Sequence, residues 1–235
     1  MNITFLYHSS FLVELSGCTL LFDWYGGPVP DYDRSKPLYV FASHHHGDHY
    51  APEIFAQLGM DNVWYVLANC IRLSAKRKAA LGIDDSHVFR LAAGRHLSLG
   101  GLDIQTYRST DAGVAFLVEV EGKTIFHAGD LHWWHWAEED AAWNQAMERD
   151  FKKECAKAPG ETGGRGLLRP GPPARGEFVG FDWWMRTMEV KHAFPMHSWE
   201  DYTLVQTLRT LPCSAPYRDR VVEVSGKGQV FSWED

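Results

Sequence analysis

The stretch Ala42-Ser43-His44-His45-His46-Gly47-Asp48-His49-Tyr50 concentrates imidazoles and a carboxylate in one short run. Nitrogen and carboxylate donors of this kind suit zinc, and also manganese, iron or nickel. Leu38-Tyr39-Val40-Phe41 before it is apolar, branched and aromatic, and reads as a buried strand. Alternate residues at a strand end share a face, so His44 and His46 aim two imidazoles at one ion while His45 points away. Past Gly47 the chain is free to turn, and Asp48 and His49 then serve a second ion beside the first. A solvated histidine loop is the competing reading, but His-x-His-x-Asp-His directly after a buried strand is a demanding pattern.

This motif resembles the first metal motif of the metallo-β-lactamase-fold hydrolases. Tyr7-His8-Ser9-Ser10-Phe11-Leu12-Val13-Glu14, with Leu21-Phe22-Asp23, is similar to the opening hairpin of the branch that contains the ascorbate-6-phosphate lactonase-like proteins. Phe126-His127-Ala128-Gly129-Asp130 and Phe194-Pro195-Met196-His197 carry the likeness over most of the chain. The resemblance implies that Asp130 is a carboxylate bridging two metals and His197 the last ligand. The implied metal set is therefore His44, His46, Asp48, His49, Asp130 and His197, holding one or two Zn2+ ions, with Mn2+, Fe2+ or Ni2+ as alternatives. Asp48 both binds metal and helps orient the nucleophile, which makes it the candidate catalytic residue. No other cofactor site is expected.

One departure stands out. The family places a further histidine between the first motif and Asp130, where this chain has Arg108-Ser109-Thr110-Asp111. Either Asp111 substitutes through oxygen, or Ser109 and Thr110 orient a water. His8 is read as supporting the ligands, with direct ligation the alternative. Asp23 either holds a ligand histidine by its ring N–H or simply ends a strand.

The elements that must position these groups are legible as short strands and helices. Ile3–Tyr7, then Phe11–Leu15 and Cys18–Phe22 about Ser16-Gly17, predict a strand and a β-hairpin. Pro52 suits the first turn of a helix through Leu58, and Val63–Leu67 reads as a strand. Ile71 to Leu81 is expected to be helical, with Lys76-Arg77-Lys78 on a solvated face. Strands follow at 88–91, 97–99 and 102–107, and a hairpin joins 114–120 to 124–127. A long helix is expected from Leu131 to about Ala158, with Leu131-His132-Trp133-Trp134-His135-Trp136 more often packing than a substrate wall. Further helices are expected at 178–190 and 202–211, and strands at 193–197, 220–224 and 229–233.

Strand-rich halves separated by helices favour two packed sheets with helices outside. The expected fold is α+β, a four-layer αββα sandwich of two mixed sheets, as a single domain over residues 1–235. Gly163 to Arg175 is Gly/Pro-rich and basic, and reads as a flexible loop where the resemblance implies a buried strand followed by Asp-Pro-Arg. One codon choice for this peptide, shifted by one base, encodes Val-Asp-Val-Ala-Phe-Phe-Ala-Pro-Asp-Pro-Arg. A compensated frameshift in the gene or its sequencing is the hypothesis that follows.

Composition narrows the function classes. Hydrophobic residues at 45% and charged residues at 23% are ordinary for a globular protein. No apolar run is long enough to cross a bilayer and no leader pattern opens the chain, so a cytoplasmic protein without a membrane partner is expected. A net charge of −7 makes nucleic acid an unlikely partner. Cys18, Cys70, Cys155 and Cys213 form no Cys-x-x-Cys pair and read as reduced thiols. The expected activity is metal-assisted hydrolysis of a small-molecule ester, lactone or phosphate-bearing metabolite. A metal-dependent phosphodiesterase is the alternative enzyme, and a degenerate, non-catalytic metal-binding protein of the same fold is the alternative from another class. Oligomeric state is not readable from sequence.

Overall fold

The computed structural model describes residues 1–158, the backbone of 165–168 and residues 178–233. The chain forms two compact units, Met1–Ala92 with the segment from Gly226 onward, and Ala93–Ser225. Each is built on one mixed β-sheet.

The first unit has the strand order β13-β1-β2-β3-β4-β5-β6, with β1 Asn2–Tyr7, β2 Ser10–Glu14, β3 Thr19–Phe22, β4 Leu38–Ala42, β5 Val63–Ala68, β6 Val88–Leu91 and β13 Gln229–Ser232. The hairpin β2–β3 is antiparallel, as expected from Ser16-Gly17, while β3, β4, β5 and β6 run parallel. Every residue of β4 is buried, which is why it reads as a continuous apolar run rather than an alternating one. One face of the sheet packs Leu21, Val40, Tyr65 and Leu67 with Ile54 and Phe55 of helix α1 (Ile54–Leu58). Because β3 to β6 are parallel, the loops after their carboxyl ends share one edge, where ligands collect in such sheets.

Helix α2 covers only Ala75–Leu81, shorter than the expected 71–81. Ile71 is buried and its N–H donates to the Ala68 carbonyl, so the chain turns into the core before Ser74 caps the helix through the Arg77 N–H.

The second unit has the order β12-β11-β10-β9-β8-β7, with β7 His96–Leu99, β8 Leu102–Arg108, β9 Val114–Val120, β10 Lys123–His127, β11 Arg165–Leu168 and β12 His192–Pro195. Glu121 (φ 51°) and Gly122 (φ 69°) turn the β9–β10 hairpin, the two left-handed residues that a tight turn between twisted strands requires. Strands β10, β11 and β12 are parallel, again bringing successive carboxyl ends to one edge.

Three expectations are corrected in this unit. Helix α3 spans Ala141–Cys155, so Leu131 to Asp140 is irregular. The Thr110 hydroxyl accepts from the His132 N–H and donates to the His132 carbonyl, pinning that backbone, and Asp140 caps the helix only at the Trp143 N–H. Residues 220–224 make a single bridge, Ala193 to Val221, after a 3-10 turn at Arg218–Arg220, instead of a strand. Within the Gly/Pro-rich segment, Arg165–Leu168 is a strand paired on both sides rather than loop. The rest of the segment lies outside the described residues. Helices α4 (Val179–Thr187) and α5 (Thr203–Thr210) fall where expected.

Candidate metal centre

In the first unit the site begins at Asp23, immediately after β3. Its backbone takes φ 44°, unusual for a residue with a Cβ, and its N–H donates to the Phe41 carbonyl of the neighbouring strand. That placement aims the buried carboxylate at the residue following β4. Oδ1 accepts from the Ser43 N–H at 2.7 Å and Oδ2 from the Ser43 hydroxyl at 2.6 Å. Oδ2 also lies 2.7 Å from Nδ1 of His49, which therefore carries the proton. Asp23 thus holds the His49 ring by its N–H.

The Ser43 hydroxyl has one proton, given to Asp23, so at 3.0 Å from Nδ1 of His44 it must accept. One carboxylate therefore sets two tautomers: His49 directly, and His44 through Ser43. Both rings are left with Nε2 as the lone-pair nitrogen, the state that a metal ligand needs. Ser43 was part of the sequence motif without a role; a hydroxyl between a strand end and a ligand histidine is the signal that could have found it.

Nε2 of His44 lies 3.0 Å from Nδ1 of His46, so the two imidazoles converge as the alternation of the strand end predicts. His45 is exposed, pointing away. The turn through Gly47 is closed by the His49 and Tyr50 N–H groups, both donating to the His46 carbonyl. It brings Oδ2 of Asp48 to 3.9 Å from Nε2 of His49 and 3.4 Å from Nε2 of His8. His8, Asp48 and His49 each offer a ligand atom within 4.8 Å of the others. His8 is buried and takes φ 49° after β1, which brings its ring beside the Asp48 carboxylate. The Ser9 hydroxyl donates to the Asp48 carbonyl and ties the two loops together.

In the second unit Asp130 follows β10 across Gly129 (φ 52°), and His197 (φ 69°) follows β12. Nε2 of His197 lies 3.3 Å from Oδ1 of Asp130, both nearly buried. Between their strands runs β11, so the separation of these two groups depends on that strand being in the sheet. Asp111, exposed, offers an oxygen within 4.8 Å of one on Asp130. Its loop is fixed by its own N–H donating to Ser109 Oγ, and by Thr110 Oγ1, which also reaches the Asp130 carbonyl at 3.4 Å. Of the two readings of this loop, the carboxylate is therefore within reach of Asp130, and Thr110 bonds backbone. The hold of Thr110 on the His132 backbone is what sequence reasoning missed here.

The donors fit a divalent metal on their chemistry. Imidazoles and carboxylates cluster within each unit, with His8, His44, His49, Asp130 and His197 buried, and buried imidazole–carboxylate groups are otherwise costly to desolvate. Around them, burial pushes the hydroxyls of Tyr7 and Tyr50 up to about 12, so both stay neutral across the physiological range. The Tyr7 hydroxyl accepts from the Gly26 N–H at 3.0 Å. Farther along the second unit, a cleft of about 600 Å³ is lined by Trp133, His135 and Trp136, whose backbone is clamped by both ends of the Asn144 amide.

Comparison with known proteins agrees. The beta-lactamase superfamily domain matches residues 2–144. A UPF0173 metal-dependent hydrolase of Desulforamulus reducens is 33% identical over 141 residues, which is 55% of this chain and 62% of that protein. The chain thus spans less than two thirds of the curated relatives it matches. Among solved structures, Igni18, a metallo hydrolase of Ignicoccus hospitalis, aligns with TM-score 0.62 at 14% identity, covering 99% of both chains. The metallo-beta-lactamase fold protein YhfI of Bacillus subtilis aligns with TM-score 0.61 at 14% identity, covering 98% of both. These two likenesses establish the fold alone.

Proposed function

Because the chain belongs to the beta-lactamase superfamily domain family, we propose that it is a metal-dependent hydrolase. His8, His44, His46, Asp48 and His49 of the first unit, and Asp111, Asp130 and His197 of the second, are the residues that would hold the metal. Zn2+ is the proposed metal, since imidazole nitrogen and carboxylate oxygen suit it. The reading is carried by one observation: the Asp23 carboxylate orients His49 directly and His44 through Ser43, leaving both Nε2 atoms as acceptors.

A bound divalent cation supplies Lewis acidity and lowers the pKa of a water from about 15.7 to roughly 7. The chain's own contribution is to hold and orient. Asp48 serves as the hydrogen-bond acceptor that orients the attacking water, its carboxylate lying 3.4 Å from Nε2 of His8. Asp23 and Ser43 keep the ligand rings from rotating. The substrate is a small ester, lactone or phosphate-bearing metabolite. The relatives named as metal-dependent hydrolases support the reaction class.

Turnover on paired ester, lactone and phosphodiester panels tests this, using zinc-loaded protein and Asp48→Asn. Hydrolysis of an ester or lactone that falls at least a hundredfold in the variant is expected. Stoichiometric metal with no hydrolysis on any panel would leave a non-catalytic metal-binding protein.

A further inference from the structure

The carboxyl edge of the parallel strands in the first unit carries more than the metal donors. Beside the loop after β4 lies the loop after β5, Asn69 to Ser74, and the two meet because Ala42 pairs with Leu67. A cleft of about 820 Å³ opens between them, lined by His45, Tyr50, Asn69, Cys70, Arg72 and Arg77. A second, of about 500 Å³, shares Arg72 and Arg77 and adds Arg90. His45 is the chain neighbour of both His44 and His46, so this cationic cleft adjoins the proposed metal donors.

Its arginines differ from an ordinary solvated charge run. Lys78, the residue after Arg77, is paired with Asp85 at 2.6 Å. Arg90 donates to the Asn69 carbonyl, and the Asn69 N–H donates to the Leu91 carbonyl, so the loop is held from β6. Ile71, plugged into the core, fixes the base from which Arg72 projects. Among the described residues neither Arg72 nor Arg77 has a carboxylate within ion-pair distance, and the Tyr50 hydroxyl, shielded from solvent, has no hydrogen-bond partner. Glu53 is the acidic side chain felt at Tyr50 alongside Arg77.

We propose that Arg72 and Arg77, with the Asn69 amide and the Tyr50 hydroxyl, form a subsite for the phosphoryl group of a small phosphate-bearing metabolite. Each guanidinium presents a planar fork of N–H donors, and a phosphoryl dianion has enough oxygens to occupy both, where a lone carboxylate is satisfied by one. A cleft of this volume suits a metabolite, and the net charge of −7 repels a polyanion from the rest of the surface. The subsite itself rests on the first unit alone; its part in substrate choice rests on the hydrolase reading above. It absorbs Arg77, which in the sequence looked like one cation in a solvated run.

Calorimetric titration of inorganic phosphate into the full chain, metal-loaded and metal-stripped, tests the binding, with Arg72→Gln, Arg77→Gln and the surface control Lys76→Gln. Binding that persists without metal and weakens about tenfold or more in each arginine variant, but not in Lys76→Gln, is expected. Phosphate affinity equal in all variants, or seen only with metal, overturns the subsite. A single-stranded oligonucleotide that binds through these arginines while phosphate does not would also overturn it, in favour of a nucleic-acid groove. With turnover, the arginine variants should raise KM for a phosphorylated ester about tenfold relative to its neutral analogue. Phosphate binding lost in the variants with neither ester hydrolysed would keep the subsite and sink the hydrolase reading. Both esters hydrolysed at an unchanged KM ratio would do the reverse.

Discussion

Oδ2 of Asp23 lies 2.7 Å from Nδ1 of His49, and neither side chain is exposed to solvent. The same oxygen receives the Ser43 hydroxyl, whose other contact is His44. A single carboxylate at the end of one strand therefore decides how two histidines from the next strand present themselves. Its left-handed backbone at φ 44° is retained because three hydrogen bonds over-determine it.

Asp23→Asn should weaken metal binding roughly 10- to 100-fold, the usual loss when the group behind a ligand histidine is removed. An amide keeps one acceptor oxygen: with nitrogen in place of Oδ2, both the His49 ring N–H and the Ser43 hydroxyl lose their acceptor, and with nitrogen in place of Oδ1 the Ser43 N–H does. Competition against a chromogenic chelator measures the change, and affinity equal to the parent's would contradict the assigned tautomers.

Ser43→Ala removes the relay to His44 but leaves Asp23 on His49. Stability to urea should fall by about 1–3 kcal/mol, since a buried acceptor on Asp23 and the N–H donor of the His44 ring each lose a partner. Metal affinity should fall less than in Asp23→Asn. An equal or larger loss would mean that His44, and not His49, is the ligand that matters most.

How much of this was visible beforehand follows from range. The strand before His44, the β2–β3 hairpin and the β9–β10 hairpin are local patterns, and each formed as expected. The Asp23–His49 contact was foreseen as one of two roles because a carboxylate after a strand has few uses. His8 was harder: its approach to Asp48 links residues forty positions apart in sequence and needs a positive φ that no local pattern announces. The expected helix from Leu131 failed for the same reason, because Thr110, from another loop, pins the backbone of His132. Composition misled at Arg165–Leu168, where pairing with β10 and β12 on both sides overrides the weak strand preference of a Gly-rich peptide.

That strand makes the frameshift hypothesis sharper. A Gly-rich peptide occupies a central position between two parallel strands, where a run such as Val-Ala-Phe-Phe is the ordinary occupant. Resequencing the locus should reveal codons that encode Val-Asp-Val-Ala-Phe-Phe-Ala-Pro-Asp-Pro-Arg one base out of frame, and a chain carrying that peptide should melt several degrees higher. Codons giving no apolar strand in either alternative frame would remove the idea.

Alkaline stability follows from the buried tyrosines. Tyr50 is pushed up to about 12 by burial, so the folded chain keeps a proton that the unfolded chain loses near 10. With more protons bound in the folded state, stability falls as pH rises from about 10 through about 12, and is fully present below that window. Tyr7, raised to about 12 by burial, adds in the same direction. Melting temperature followed from pH 9 to 12 should fall, and Tyr50→Phe should flatten the decline. An unchanged slope in that variant would assign the loss to other groups.

The most direct test of the metal centre is elemental analysis of purified, zinc-supplied protein beside Asp130→Ala and His46→Ala. About two ions per chain in the parent, with His46→Ala retaining about one and Asp130→Ala losing both or binding them far more weakly, is the predicted result. No bound ion in the parent even after metal is supplied, or full occupancy in Asp130→Ala, would contradict it.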